Sequence, residues 1–396
     1  MKKTKKALII GGGFAGCASA YALNDLNHLD VTLVEKNNHL GAGVRTQYYG
    51  GHPYTFGPRH ILTQNKDVYK FLNKIVPMRK INTEFLSYVE DDNEFYSYPL
   101  NMDDVNKMPE KTKIKKQLEN RSLLKIKESR NMEDYWINSV GEILYNKVIN
   151  KYNKKMWQVE SNKEIDTFHW SPKGATIKDG SGKGDKRAWT ESISAYPIKE
   201  NGYNDFFDQI PKLNTNIVLN ANFKIIDLDK KVFEINGEKI KFDIVISSIS
   251  PDYFFDNCFG ELGWIGRDFH KIVLPKEHIF PANVYFLYYC NDEAFTRIVE
   301  YKKFTRHKSK NSLIGLEIPS KNGKHYPLPF VSEIKKSLKY INLFPEWFFS
   351  IGRAGTYRYQ CDIDDCIEQA FKIKELVENN EYHGPMPVKR WENINN

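Results

Sequence analysis

The sequence predicts an α/β fold: a dinucleotide-binding domain with an inserted helical domain and an antiparallel β-sheet domain. Three observations carry this. A glycine turn, Gly11-Gly12-Gly13-Phe14-Ala15-Gly16, follows a short apolar run and opens a helical pattern. Residues 103–155 turn charged with helical spacing, and short apolar runs separated by turn residues recur between 217 and 318.

The elements follow in order. Ala7 to Ile10 reads as a buried strand, Leu23 and Leu26 lie on the helix behind the glycines, and Val31 to Glu35 forms the next strand. This strand, turn, helix, strand sequence is a Rossmann-like βαβ unit. A second helix is expected from Asp67 to Ile75, then a hairpin with strands Phe85–Val89 and Phe95–Tyr98 around Asp91-Asp92-Asn93. Tyr135, Trp136, Val140 and Leu144 give the helical segment one apolar face. Residues 173–187, rich in glycine and lysine and nearly devoid of apolar side chains, read as an exposed mobile loop.

Strands are then expected at 217–219, 224–228, 232–235 and 242–248, with a turn at Asn236-Gly237 and a helix begun by Pro251. Further antiparallel strands are expected at 284–289, 297–300 and 313–318. A last strand at 348–351 and a helix at 364–379 close the chain. The domain division this implies is residues 1–80, 215–260 and 340–396 for the dinucleotide domain, 100–165 for the helical domain, and 81–99, 166–214 and 261–339 for the sheet domain.

Composition narrows the class. Hydrophobic residues make up 41% and charged residues 27% of 396, as in an ordinary globular protein. The net charge of +8 is dispersed, without the consecutive basic run of a nucleic-acid tail, and suits an anionic small ligand. Five cysteines without a C-x-x-C pair argue against a disulfide framework or a metal site and for a reducing compartment. No apolar stretch approaches the roughly 18 residues of a membrane span, so a cytoplasmic location is expected.

A pyrophosphate needs close backbone and a positive field. Gly11 makes the tight turn, Gly13 lets the chain approach the phosphates, and Gly16 lets the helix pack on the strand with its N-terminus toward the anion, so Phe14 and Ala15 belong to the same cradle. Glu35, with Lys36 beside it, is placed to accept the ribose hydroxyls, which favours NAD or FAD over NADP. Gly41-Ala42-Gly43-Val44-Arg45 resembles the glycine doublet and basic residue of glutathione-reductase-like FAD proteins, and that resemblance selects FAD.

Five further matches run through the chain in order. They are Phe56-Gly57-Pro58-Arg59-His60-Ile61-Leu62-Thr63-Gln64-Asn65; Ser97-Tyr98-Pro99-Leu100-Asn101; the pair Tyr152 and Trp157; Phe295-Thr296-Arg297-Ile298-Val299-Glu300-Tyr301-Lys302; and Tyr326-Pro327 with Gly352-Arg353-Ala354-Gly355-Thr356-Tyr357-Arg358-Tyr359. Together they resemble the UDP-galactopyranose mutases, which convert a nucleotide-linked sugar between pyranose and furanose rings. The resemblance implies reduced FAD as cofactor, an electron donor such as NADPH, a nucleotide-diphosphate sugar as substrate, a role in surface polysaccharide synthesis, and a homodimer by analogy. It also implies roles. Arg297, Tyr326 and Tyr359 would hold the diphosphate, with Tyr152 and Trp157 nearer the nucleoside and Asn101 and Tyr196 among the substrate contacts. Arg353, Gly355, Asp362 and Ile363 would lie beside the flavin.

Four departures from the family pattern concern the sugar and phosphates. Arg59 stands where a histidine is usual and His60 follows it, so either is a candidate for the group beside the flavin. No mobile-loop arginine aligns; Lys178, Lys183, Lys186 and Arg187 are the candidates to replace it. Ile193 stands where an aromatic residue is usual, with Tyr196 the candidate to take over its place, Tyr288 stands where an asparagine is usual, and Gln360-Cys361 add one residue before the last helix. They point to a sugar other than UDP-galactose, such as an N-acetylated, 6-deoxy or heptose sugar, or to another nucleotide. The rival readings are an FAD-dependent oxidoreductase of the amine-oxidase or glutathione-reductase-like class, and a non-catalytic nucleotide-sugar binder.

Overall fold

Strand Lys5–Ile10 ends in four buried residues and sits in the middle of a five-stranded sheet. The computed structural model describes residues 4–167 and 192–382. The sheet runs Thr215–Val218, Leu29–Val34, Lys5–Ile10, Ile244–Ser247, Phe348–Ser350, every pairing parallel. Its strands are short apolar runs because helices Phe14–Leu23 and Ile363–Asn379 cover one face and a three-stranded antiparallel sheet, Phe223–Asp227, Val232–Ile235 and Glu238–Lys241, covers the other.

A seven-stranded sheet carries the order Tyr326–Pro327, Trp264–Leu274, Ser312–Ser320, Arg297–Glu300, Val284–Tyr289, Glu84–Val89, Glu94–Ser97. It is antiparallel except where Val284–Tyr289 runs parallel to Glu84–Val89. A small sheet joins Ile193–Pro197 to Ile61–Thr63 and Met78–Lys80. Between the large sheet's edge hairpin and residue 157 lie short helices at Met102–Val105, Lys111–Glu119, Leu123–Lys127, Met132–Val140, Glu142–Tyr145 and Lys151–Trp157. Asn101, Ser122 and Asn131 cap three of them by accepting backbone N–H bonds, which is why so polar a segment breaks into short helices there.

Strand Trp264–Leu274 and helix Val331–Ile341 are additions to the sequence reading. The strand escapes notice because Arg267, Asp268, His270 and Lys271 interrupt its apolar residues, although Ile265, Arg267 and Phe269 alternate on one face. Residues 173–187 lie outside the described residues.

Candidate functional site

Two features meet at the edges of the parallel and the large sheet. The first is the glycine turn. Gly11 has φ +95° and a side chain there would strike Ser248, while a Cβ on Gly16 would lie 2.0 Å from the Gly11 carbonyl oxygen. At Gly13 the nearest atom to an added Cβ is 4.0 Å away, so this glycine keeps space open and is not a packing necessity. Helix Phe14–Leu23 begins without a side-chain cap and without an acid in its first turn, leaving its N–H groups and positive end for an anion. Glu35 is buried; its carboxylate accepts from Gly12 N at 2.7 Å and from Asn37 N at 2.9 Å, which fixes it at the mouth of the turn.

The second glycine loop is tied to the first by Gly41 N donating to Gly12 O at 2.8 Å. Gly43 and Val44 sit in the short turn that follows, and Arg45 is engaged by Asp208 at 2.7 Å. Lys36 is exposed. At the far end of the chain Gly352, φ +67°, has Ala15 2.9 Å from an added Cβ and donates to Gln369 Oε1 at 2.7 Å. Gly355 lies against Ser247 O. Asp362 caps helix Ile363–Asn379 with Asp365 and pairs with Arg353 at 2.5 Å. The two glycine loops and the Arg353 turn thus converge from opposite ends of the sequence, with an open cradle at Gly13 that suits a dinucleotide diphosphate.

The other feature is a row of side chains set by strand register. Phe269 pairs with Glu317, Glu317 with Arg297, Arg297 with Tyr288, and Tyr288 with Ser87, so all share one face of the large sheet. Tyr326 joins that face opposite Ile265, two residues from Arg267. Arg297 donates to Glu317 through Nε at 2.9 Å and Nη2 at 2.5 Å, a fork on a carboxylate that is almost wholly buried. Burial works against the Arg297 charge, yet Glu317 beside it holds its pKa well above the usual arginine value.

Tyr326 is the centre of the row. The Arg267 and Arg353 guanidinium carbons stand 5.1 and 5.2 Å from its ring centroid, and Tyr359 meets it edge-on at 5.2 Å. Burial raises the Tyr326 pKa, but Arg297, Arg267 and Arg59 together outweigh that and hold the phenol below its ordinary value. Arg59 donates from Nε to Gly43 O at 3.2 Å, bridging the glycine loop to this cluster. Its charge is disfavoured first by burial and then by Arg353 and Arg297. Desolvation with Arg59 and Arg267 nearby pushes His325 down to about 4, so it is neutral at pH 7. Four guanidinium groups therefore face two carboxylates, Glu317 and the largely exposed Asp362, and two positive charges lack a counter-charge among the described residues.

Beside the row a cavity of about 80 Å³ opens between helix Lys151–Trp157 and strand Val284–Tyr289, lined by Tyr152, Trp157, Tyr288 and Tyr359 with Trp136 and Met156 behind. Tyr152 meets Tyr288 at 5.6 Å and Trp157 meets Tyr359 at 5.0 Å between ring centroids.

Comparison with known proteins now decides the family. A family description of UDP-galactopyranose mutase matches residues 147–359, which takes in Trp157, Arg297, Tyr326 and Tyr359. The chain belongs to the UDP-galactopyranose mutase family. It is accordingly a sugar mutase, an intramolecular transferase by reaction class. An NAD(P)-binding Rossmann-like domain matches residues 9–75, the glycine turn included. The chain is 27% identical to the dTDP-fucopyranose mutase of Escherichia coli over 95% of its own length and 99% of the relative's. Its fold is similar to that of a reduced UDP-galactopyranose mutase, with a TM-score of 0.79 and 17% identity over 98% of this chain and 99% of that one. It also resembles putrescine oxidase, with a TM-score of 0.52 and 11% identity over 95% and 99% of the two chains.

Several candidate residues pack apart from the Tyr326 row or lie outside the described residues. His60 packs against Phe85 and Phe304, with ring centroids 6.0 and 5.8 Å away, while its neighbour Arg59 turns to Tyr326; successive residues of extended chain point oppositely, so only one of the two can face the cluster. Tyr196 is buried among Tyr203 and Phe304 because its strand lies inside the small sheet. Asn101 is buried and spends its side chain on capping helix Met102–Val105. Lys178, Lys183, Lys186 and Arg187 lie outside the described residues. Conversely, Arg267 and Glu317 are missing from the sequence reading. A lone acid in the apolar run Leu313-Ile314-Gly315-Leu316-Glu317-Ile318, facing a strand that carries a lone arginine, is the signal that could have found Glu317.

No helix among the described residues is long and apolar enough to cross a membrane.

Proposed function

We propose that this mutase interconverts the pyranose and furanose forms of a dTDP-linked 6-deoxy sugar, with reduced FAD as cofactor. The substrate reading rests on the E. coli relative, whose name states a dTDP-fucopyranose and whose length this chain matches throughout. Bound reduced flavin would supply the nucleophile for the anomeric carbon, and the Gly13 cradle, Glu35, Arg59 and Arg353 are the residues that would hold it.

The rest of the work falls to the chain's own side chains. In ring exchange the bond between the anomeric carbon and the diphosphate breaks and later re-forms, so the departing diphosphate must be held and stabilised. Arg297, oriented by Glu317, offers the face of its guanidinium not used by the carboxylate, and Arg267 and Arg59 add positive charge. Tyr326, made more acidic by those same arginines, would donate its phenol hydrogen to a phosphate oxygen, and Tyr359 would flank it. Tyr152 and Trp157 would enclose the nucleoside in the adjoining cavity. Net charge is the observation that carries this reading: two positive charges without a counter-charge among the described residues match an incoming diphosphate.

The domain division given by the sequence is kept as part of the proposal, as are a donor such as NADPH, a cytoplasmic setting and a place in surface polysaccharide synthesis. Incubation of dithionite-reduced protein with a panel of dTDP-, UDP- and GDP-sugars, with products resolved by chromatography, tests it. An isobaric product from dTDP-fucopyranose is expected; conversion of UDP-galactopyranose alone would overturn the substrate assignment.

A further inference from the structure

The same strands carry a second, separate concentration of positive charge at their other end. Strand Ser312–Ser320 reaches Glu317 at the substrate face, about 17 Å by strand rise from its start. Just before that start, residues 302–310 read Lys-Lys-Phe-Thr-Arg-His-Lys-Ser-Lys. Here a cavity of about 850 Å³ is lined by Lys302, Lys303, Arg306, His307, Lys308 and Lys310, with Glu277 as its one acidic residue.

These cations are not equivalent. Lys302 Nζ is buried and donates to the carbonyls of Glu277, Ser309 and Asn311 at 2.7–2.8 Å, pinning the loop. Lys303 Nζ donates to Phe280 and Pro281 carbonyls at 2.9 and 3.0 Å. His307 meets Glu200 at 3.1 Å. Glu300, the buried acid nearest the loop, accepts from Ile279 N, Phe280 N and Ser312 and lies 4.0 Å from Lys303 Nζ and 3.7 Å from His278 Nδ1. Arg306, Lys308 and Lys310 have no ion pair with any described residue and are exposed. They follow the end of the short helix Tyr301–Thr305, and all three line this one cavity. From behind, Arg79 donates to the Lys303 and Phe304 carbonyls while its buried Nε has no partner, and burial and then Arg306 push its pKa down.

Around this concavity Glu200 and Glu300 answer His307 and Lys303, while Arg306, Lys308 and Lys310 face no carboxylate among the described residues, and such gathered like charges cost free energy that an anion would recover. We propose that Arg306, Lys308 and Lys310 form a second anion site, distinct from the substrate site, that takes a phosphate or diphosphate group of a phosphorylated ligand. An Arg fork with flanking lysines matches the oxygens of such a group.

Isothermal titration of the full chain with inorganic pyrophosphate tests this. The wild type is expected to show two classes of site. The combined substitution Arg306→Ala, Lys308→Ala, Lys310→Ala should weaken one class at least tenfold and leave dTDP affinity and turnover unchanged, without lowering the thermal unfolding temperature. If the substrate-site reading alone were wrong, a single class would remain and would still vanish in this variant. Sedimentation with phosphatidylglycerol vesicles, against phosphatidylcholine, is the second arm: retention lost in the triple variant places the phosphate on a lipid headgroup, and pyrophosphate binding without retention places it on a soluble ligand. If neither probe distinguishes the variant from the wild type, the proposal is overturned.

Discussion

Replacing Arg297 by lysine probes the diphosphate site with the charge kept and the fork removed. In the protein Nε and Nη2 of Arg297 are both committed to Glu317, at 2.9 and 2.5 Å, which leaves Nη1 free of that carboxylate, and Tyr326 is among the groups that raise the arginine's pKa. A lysine ammonium on a flexible stem cannot hold the carboxylate by two bonds and also present a fixed donor to a phosphate. With Glu317 almost wholly buried, the ammonium will satisfy the carboxylate first. One charge-assisted hydrogen bond to the ligand is then lost, worth about 1.5–3 kcal/mol, or about 10- to 150-fold in Kd. Titration of Arg297→Lys with dTDP, followed by calorimetry, should show that loss with flavin content unchanged, because Arg297 does not touch the glycine loops. A Kd within threefold of wild type would refute the reasoning and remove Arg297 from the diphosphate site.

Three other outcomes follow from the geometry. Gly13→Ala should keep the fold, since φ is −71° and the nearest atom is 4.0 Å from the new Cβ, yet lose flavin by more than tenfold in occupancy; Gly16→Ala, 2.0 Å from the Gly11 carbonyl, should unfold instead, as absorbance and thermal melts would report. Ultraviolet titration should find one phenol ionising below the ordinary tyrosine value in wild type and none in Tyr326→Phe, whose turnover should fall by about 10²-fold while flavin is retained. Asp364, half-buried at the last helix, is raised to about 7 first by burial and then by Asp365 and Asp362. Its raised folded pKa penalises the ionised form, a cost absent below the unfolded carboxylate value near 4 and complete above pH 7. Asp364→Asn should therefore stabilise by about 1–2 kcal/mol at pH 8, after allowance for screening, and by progressively less as pH falls from 7 to 4.

The dinucleotide half of the protein was legible because its physics is local. Gly11 answers to its positive φ and Gly16 to the Gly11 carbonyl oxygen, both within one βαβ unit, and the acid ending the second strand answers to the same turn. The edges of most strands fall within a few residues of the expected positions for the same reason: their apolar runs are continuous. The substrate face was legible only in part. Arg297, Tyr326, Tyr359, Tyr152 and Trp157 do come together, but what gathers them is register between distant strands, which no local pattern encodes. Arg267 was hidden in a strand broken up by charge, and Glu317 looked like one more polar residue in an apolar run. Where two candidates were adjacent, as at Arg59 and His60, sequence could not say which side of the backbone each takes. In the fold His60 packs against Phe304 and Arg59 turns to Gly43 O.

The most direct test of the central claim is anaerobic incubation of the protein with dTDP-fucopyranose, once with the flavin oxidised and once after dithionite reduction, with the nucleotide sugars separated and weighed by mass spectrometry. The account predicts an isobaric new dTDP-sugar from the reduced protein only, with no bleaching of the oxidised flavin by substrate. Bleaching of the oxidised flavin with formation of a product two mass units lighter would contradict it and assign the protein an oxidoreductase's chemistry on a mutase's fold.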